Sequence, residues 1–183
     1  MAGVSEKPVW LLDIDGVINA TVGWKGKPPT QVWAASNWID TVAADAIQFR
    51  ILSARPVIEF VKLVHETGRA EIRWHTTWQH SAQNVADALG LPHFEVQDAP
   101  EFTDRASYLS YDIWWKLPAA WQVIEIEKRP LIWTDDEICG LSYMQLTSLM
   151  AAGPVLPVAP LGETGLTMRH LAQIEVFLSE MGA

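Results

Sequence analysis

The stretch VWLLDIDGVINAT, residues 9–21, carries an apolar run straight into two aspartates, Asp13 and Asp15, and then a glycine. An apolar run without polar alternation is the pattern of a strand covered on both faces, and such strands belong to parallel sheets. A strand over Val9–Ile14 is therefore predicted, with acids at its exit. Four more short apolar runs, Ala70–Trp74, Phe94–Gln97, Leu131–Thr134 and Val155–Val158, are separated by stretches long enough for crossover helices. This alternation predicts an α/β fold, a three-layer α/β/α sandwich on a mostly parallel sheet.

The helices carry their own punctuation. Ser53–Thr67 has Pro56 in its first turn, apolar residues at Val57, Phe60, Val61 and Val64, and Gly68 behind it. His80–Leu89 stops at Gly90, Glu137–Ala152 stops at Gly153, and Thr167 is placed to cap a last helix through Leu171, Ile174, Phe177 and Leu178. Over residues 112–128, Pro118 must lie near a helix start or interrupt one. Residues 17–52, rich in Gly, Pro, Asn and Trp, break the rhythm; they read as a hairpin flap, or minimal cap, over the carboxyl end of the first strand, with a surface excursion as the alternative.

One ordinary domain over residues 1–183 is the expectation at this length. A hydrophobic fraction of 49% with 19% charged residues describes a folded globular chain, and the net charge of −9 disfavours sequence-independent adhesion to nucleic acid or anionic membrane. The single cysteine, Cys139, excludes an internal disulfide and a cysteine-based zinc cluster. No window approaches the roughly 20 apolar residues that span a bilayer, and the N-terminal residues lack a basic segment followed by an apolar one. A cytoplasmic protein without membrane partners is expected.

In an open parallel sheet, ligands bind beyond the carboxyl ends of the strands, so acids at strand exits have a claim on chemistry. Asp13 and Asp15 stand at one exit; as alternate residues of a strand they would point the same way. A second pair, Asp135 and Asp136, ends the run Leu131–Thr134. Alone, an Asp-Gly step is an ordinary turn and an acidic run before a helix is an ordinary cap. If the two strands are neighbours, however, the four acids form an all-oxygen site suited to a hard cation, and Mg2+ is predicted. A zinc site at His75 and His80 is disfavoured, because their spacing fits neither common zinc arrangement.

Two further features complete a set: AEIRWHTTW ends a predicted strand in the hydroxyls of Thr76 and Thr77, and DIWWKLP places Lys116 before the second acidic pair. In this order of acid, hydroxyl, lysine and acid, with Asp13-Ile14-Asp15-Gly16-Val17 matching a DxDG motif, the chain resembles the haloacid dehalogenase superfamily of phosphatases. The spellings RWHTTW, RPLIWTDDE and the late GLT look like the small phosphatase-like domains associated with RNA-end repair.

The resemblance implies an aspartyl-phosphate mechanism on a phosphorylated substrate, whether a nucleotide or a nucleic-acid end. Asp13 would be the nucleophile and Asp15 the proton carrier. Thr76, with Thr77 as its alternate, and Lys116 would hold phosphoryl oxygens. Mg2+ would sit against Asp13, the backbone carbonyl of Asp15, and one or both of Asp135 and Asp136. Lys25, Lys27, Lys62 and Lys128 compete with Lys116 for its role, and Lys25 and Lys27 read as surface charges, with contact to a substrate phosphate from the flap as the alternative. Trp24, Trp33 and Trp38 read as core packing, with base stacking as the alternative. The rival functions are another chemistry of the same superfamily, such as phosphomutase or dehalogenase action, and a metal-binding or protein-interaction domain without turnover.

Overall fold

The structure, a computed structural model, describes residues 7–44, 48–98 and 115–182. Five parallel strands make the main sheet: β1 (Val9–Leu12), β4 (Glu71–Trp74), β5 (Glu95–Val96), β6 (Leu131–Thr134) and β7 (Val155–Val158). A separate antiparallel hairpin is formed by β2 (Trp38–Ala44) and β3 (Gln48–Ala54). The sheet runs β5-β4-β1-β6-β7, so the chain builds outward from β1 on one side and then crosses to build on the other. β1 and β6 are therefore neighbours at the switch point, with Leu12 abreast of Thr134.

Alternation along each strand sorts the core into two layers. Trp10, Leu12, Ile72, Trp74 and Ile132 pack with α1 (Arg55–Glu66), α2 (Ala82–Leu89) and α5 (Met168–Glu180). Val9, Leu11, Leu131 and Trp133 face the other way, against α3 (Lys116–Trp121), the π turn Gln122–Ile126 behind it, and Leu149 of α4 (Tyr143–Ala152). The expected strands and crossover helices are present, and the fold is α/β, doubly wound in the Rossmann-like manner.

Several boundaries differ from the sequence expectation. β1 ends at Leu12 rather than Ile14, because the Ile14 carbonyl accepts N–H groups from Val17, Ile18 and Asn19 and coils the chain into a turn. The predicted helix Glu137–Ala152 is divided: the Asp135 carboxylate takes the Glu137 N–H and opens a 3-10 turn over Asp136–Gly140, and Ser142 starts α4 with a capping box to Gln145. Pro118 lies in the first turn of α3, where its missing N–H leaves nothing unpaired. Of the segment 112–128, residues 112–114 lie outside the described residues, as do residues 45–47 and residues 1–6.

The hairpin begins only at Trp38 and runs past the expected boundary to Ala54, where it continues directly into α1. It is tied to the loop after β1: Ser53 Oγ donates to the Ile18 carbonyl, and the Leu52 N–H to Asn19 Oδ1. Trp33 is buried with its indole N–H on the Leu166 carbonyl, and Trp38 donates to the Trp33 carbonyl, so these two are packing residues; Trp24 is 62% exposed. Among the described residues, no helix is long and apolar enough to cross a membrane.

Arg129 clamps the amino-terminal edge of the sheet. Its guanidinium donates twice to the Lys7 carbonyl before β1 and once to Glu71 at the start of β4, while Arg73 holds Glu71 and Glu127. Although burial opposes ionisation of Glu71, hydrogen bonds and charge from Arg73 and Arg129 bring its pKa below the ordinary value of 4.5. Stability from this group is therefore present above about pH 4.5 and lost as pH falls through the lower folded value. Arg129→Gln should cost about 2 kcal/mol at neutral pH. The difference from the parent should shrink in acid, as checked by urea unfolding across pH.

Candidate functional site

Strand register and parity bring the site together. Asp13 continues the Val9-Leu11 face of β1 and Asp135 the Leu131-Trp133 face of β6, so both carboxylates turn toward the layer that holds α3. Lys116, the first residue of α3, reaches down into that layer, its Nζ 2.5 Å from Asp13 Oδ2 and 2.6 Å from Asp135 Oδ2. Each aspartate gives its other oxygen to a backbone N–H, Asp13 to Ile14 and Asp135 to Glu137. All three side chains are almost wholly buried.

Asp136 completes a cluster in which Asp13, Asp135 and Asp136 offer oxygens all within 4.8 Å of one another. Its carboxylate lies directly against Gly16 and Gly162, where a Cβ on either would run into it. Gly16 also has a φ of +71°, so a side chain there is excluded by backbone conformation as well as by space. Glycine in the DxDG motif thus makes room for an acid from the turn after β6, more than a hundred residues away.

Three carboxylates share one ammonium, and the electrostatics record the imbalance. Burial, and then the charge of Asp13, raises the Asp135 carboxyl to about 7. Asp136 is raised by burial, Asp13 and Glu137. Lys116 is opposed by burial but driven above its ordinary value by Asp13 and Asp135. This donor set of carboxylate oxygens carrying excess negative charge fits a hard divalent cation such as Mg2+ or Ca2+.

Asp15 stands apart from the cluster. Because the strand has already ended, Asp13 and Asp15 do not share a face: Asp15 Oδ1 accepts from Asn19 Nδ2 at 2.7 Å, and Oδ2 from the Trp78 indole N–H at 2.8 Å. Its side chain is not a fourth cluster carboxylate. Asn19 and Trp78 were not singled out from sequence, although both lie inside the motifs quoted above. Their i+4 spacing in the turn and position behind the threonines were the signals available.

Thr76 is wholly buried two residues past the end of β4, and its hydroxyl and carbonyl take N–H groups from Trp78 and Gln79. Thr77 is exposed and lines an open cleft of about 400 Å3 with Asp15, Asn19, Phe49, Arg50, Trp78 and Ser81. A second cleft of about 380 Å3 shares Asp15, Asn19, Phe49 and Arg50 and extends to Trp24.

His75 is packed beside the strand end. It meets the rings of Trp115 and Trp133 at 5.2 and 5.8 Å, and its two ring nitrogens have no partner among the described residues. Burial, with Lys116 nearby, pushes its pKa well below 6.5 and keeps the ring neutral. His80 is exposed and not part of the cluster. Of the rival lysines, Lys25 and Lys27 are exposed, Lys62 lies on α1 and Lys128 pairs with Glu125, leaving Lys116 at the acids.

Compared with known protein families, with curated proteins and with solved structures, the chain matches none.

Removing Lys116 strands two buried carboxylates. Lys116→Met should cost about 3 kcal/mol at pH 8. The loss should be smaller at pH 5, below the value of about 7 for Asp135, where that group takes up a proton and relieves the repulsion. Denaturant unfolding at the two pH values checks both the size and the sign.

Proposed function

We propose that the protein is a Mg2+-dependent phosphomonoester hydrolase of the haloacid dehalogenase type, working through an aspartyl-phosphate on Asp13. The observation that carries this reading is the meeting of Asp13, Asp135 and Asp136 with Lys116 at the carboxyl ends of adjacent parallel strands. A buried ammonium beside the attacking carboxylate suits a reaction in which negative charge gathers on transferring phosphoryl oxygens.

In the first step a carboxylate oxygen of Asp13 bonds to phosphorus while the ester oxygen departs, and Asp15 gives its proton to that oxygen. In the second, Asp15 takes a proton from water as the water attacks phosphorus, and the bond to Asp13 breaks to release phosphate. Lys116 and Thr76 hold phosphoryl oxygens, while Asn19 and Trp78 fix Asp15 in place. Asp13, Asp135 and Asp136 would hold Mg2+, which supplies Lewis-acid neutralisation of phosphate charge when bound. A phosphorylated substrate such as a nucleotide or a nucleic-acid end is the partner.

A second reading is favoured by one observation: Asp13 is only 5% exposed and both its oxygens are engaged, as a structural ion-pair cluster or a metal-binding domain without turnover would have them. Hydrolysis of an aryl phosphate separates the two. The activity should require Mg2+, vanish in EDTA, and fall by at least about a thousandfold in Asp13→Asn and in Asp15→Asn. Stabilisation by Mg2+ with no hydrolysis would favour the second reading, and hydrolysis that persists in EDTA would remove the metal.

A further inference from the structure

We infer that the cleft beside Asp15 receives the leaving group of the phosphomonoester, and that this group is a nucleoside presented as a free nucleoside monophosphate. The inference rests on the phosphatase reading and extends it to the substrate. The proton that Asp15 donates goes to the departing oxygen, so the departing group lies on the side that Asp15 faces. That side is the pair of clefts of about 400 and 380 Å3, a size within the range of small-molecule sites.

The walls are aromatic. Phe49, 42% exposed, stands edge-on to Trp78 with ring centroids 4.8 Å apart, and the exposed Trp24 lines the second cleft. Such rings accept the face of any base. Trp78 also holds Asp15 through its indole N–H, so a ring seated at Phe49 and Trp78 lies beside the proton donor itself. A saturated sugar or glycerol offers these walls no planar face.

The charges argue against a polynucleotide. Among the described lining residues Arg50 is the only basic one. Its guanidinium is already bound to both oxygens of Asp40 and to the carbonyls of Gly23, Trp24 and Gly26. The cleft thus provides no unengaged cation for a run of phosphates, and the net charge of −9 repels one.

Two measurements test this. In EDTA, where nothing turns over, adenosine should quench tryptophan fluorescence saturably; Phe49→Ala should weaken that binding about tenfold, and Phe49→Tyr should restore it. With Mg2+, adenosine monophosphate should exceed glycerol phosphate in kcat/KM by at least about tenfold, and that ratio should fall about tenfold in Phe49→Ala. Absence of saturable quenching, equal turnover of glycerol phosphate, or preference for phosphorylated oligonucleotides would each overturn the inference. Aryl phosphate hydrolysis without nucleotide preference would sink it alone and leave the phosphatase standing. Saturable adenosine binding by a protein that hydrolyses no phosphomonoester would uphold the ligand and remove the phosphatase reading.

Discussion

The ammonium of Lys116, buried between the carboxylates of Asp13 and Asp135, is the interaction on which the upper edge of the sheet depends. Burying three charges is expensive: apolar side chains of similar volume in such a position are often neutral or more stable by about 1–4 kcal/mol. A cluster of this kind, with Asp136 adding negative charge, therefore contributes little that stability alone would call for. It lies at the switch point of a doubly wound sheet, the place where ligands bind in open α/β folds.

The two ends of the sheet answer different requirements. At the amino-terminal edge, Arg129 and Arg73 pair with Glu71 and Glu127 and hold a backbone carbonyl, so charge is matched and polar groups are satisfied. At the carboxyl-terminal edge the carboxylates outnumber the cation, and burial with crowding raises Asp135 to about 7. One edge joins the strands, and the other stores unbalanced charge.

Much of this was legible in the chain. The unalternating apolar runs at residues 9–12 and 131–134 showed strands covered on both faces, and Pro56 and Gly68 bracketed α1 because one lacks an N–H and the other tolerates a positive φ. The break at Gly140–Leu141 was not legible, because the Asp135 side chain opens a turn that competes with the helix and Ser142 caps a new one. The orientation of Asp15 departs from strand alternation for a related reason: alternation holds only while the strand lasts, and backbone bonds to the Ile14 carbonyl end it first.

By itself the sequence determined which residues are acids, hydroxyls and cations, and that they end apolar strands, since periodicity and local backbone chemistry are local properties. Tertiary structure alone decided that β1 lies beside β6, that strand parity turns Asp13 and Asp135 toward α3, and that Asp136 fills the space left by Gly16. It also decided that Asp15 belongs to Trp78 and Asn19 and not to the cluster. Apart from the Asp15–Asn19 bond, which spans four residues of one turn, these are long-range juxtapositions, and only chain packing creates them.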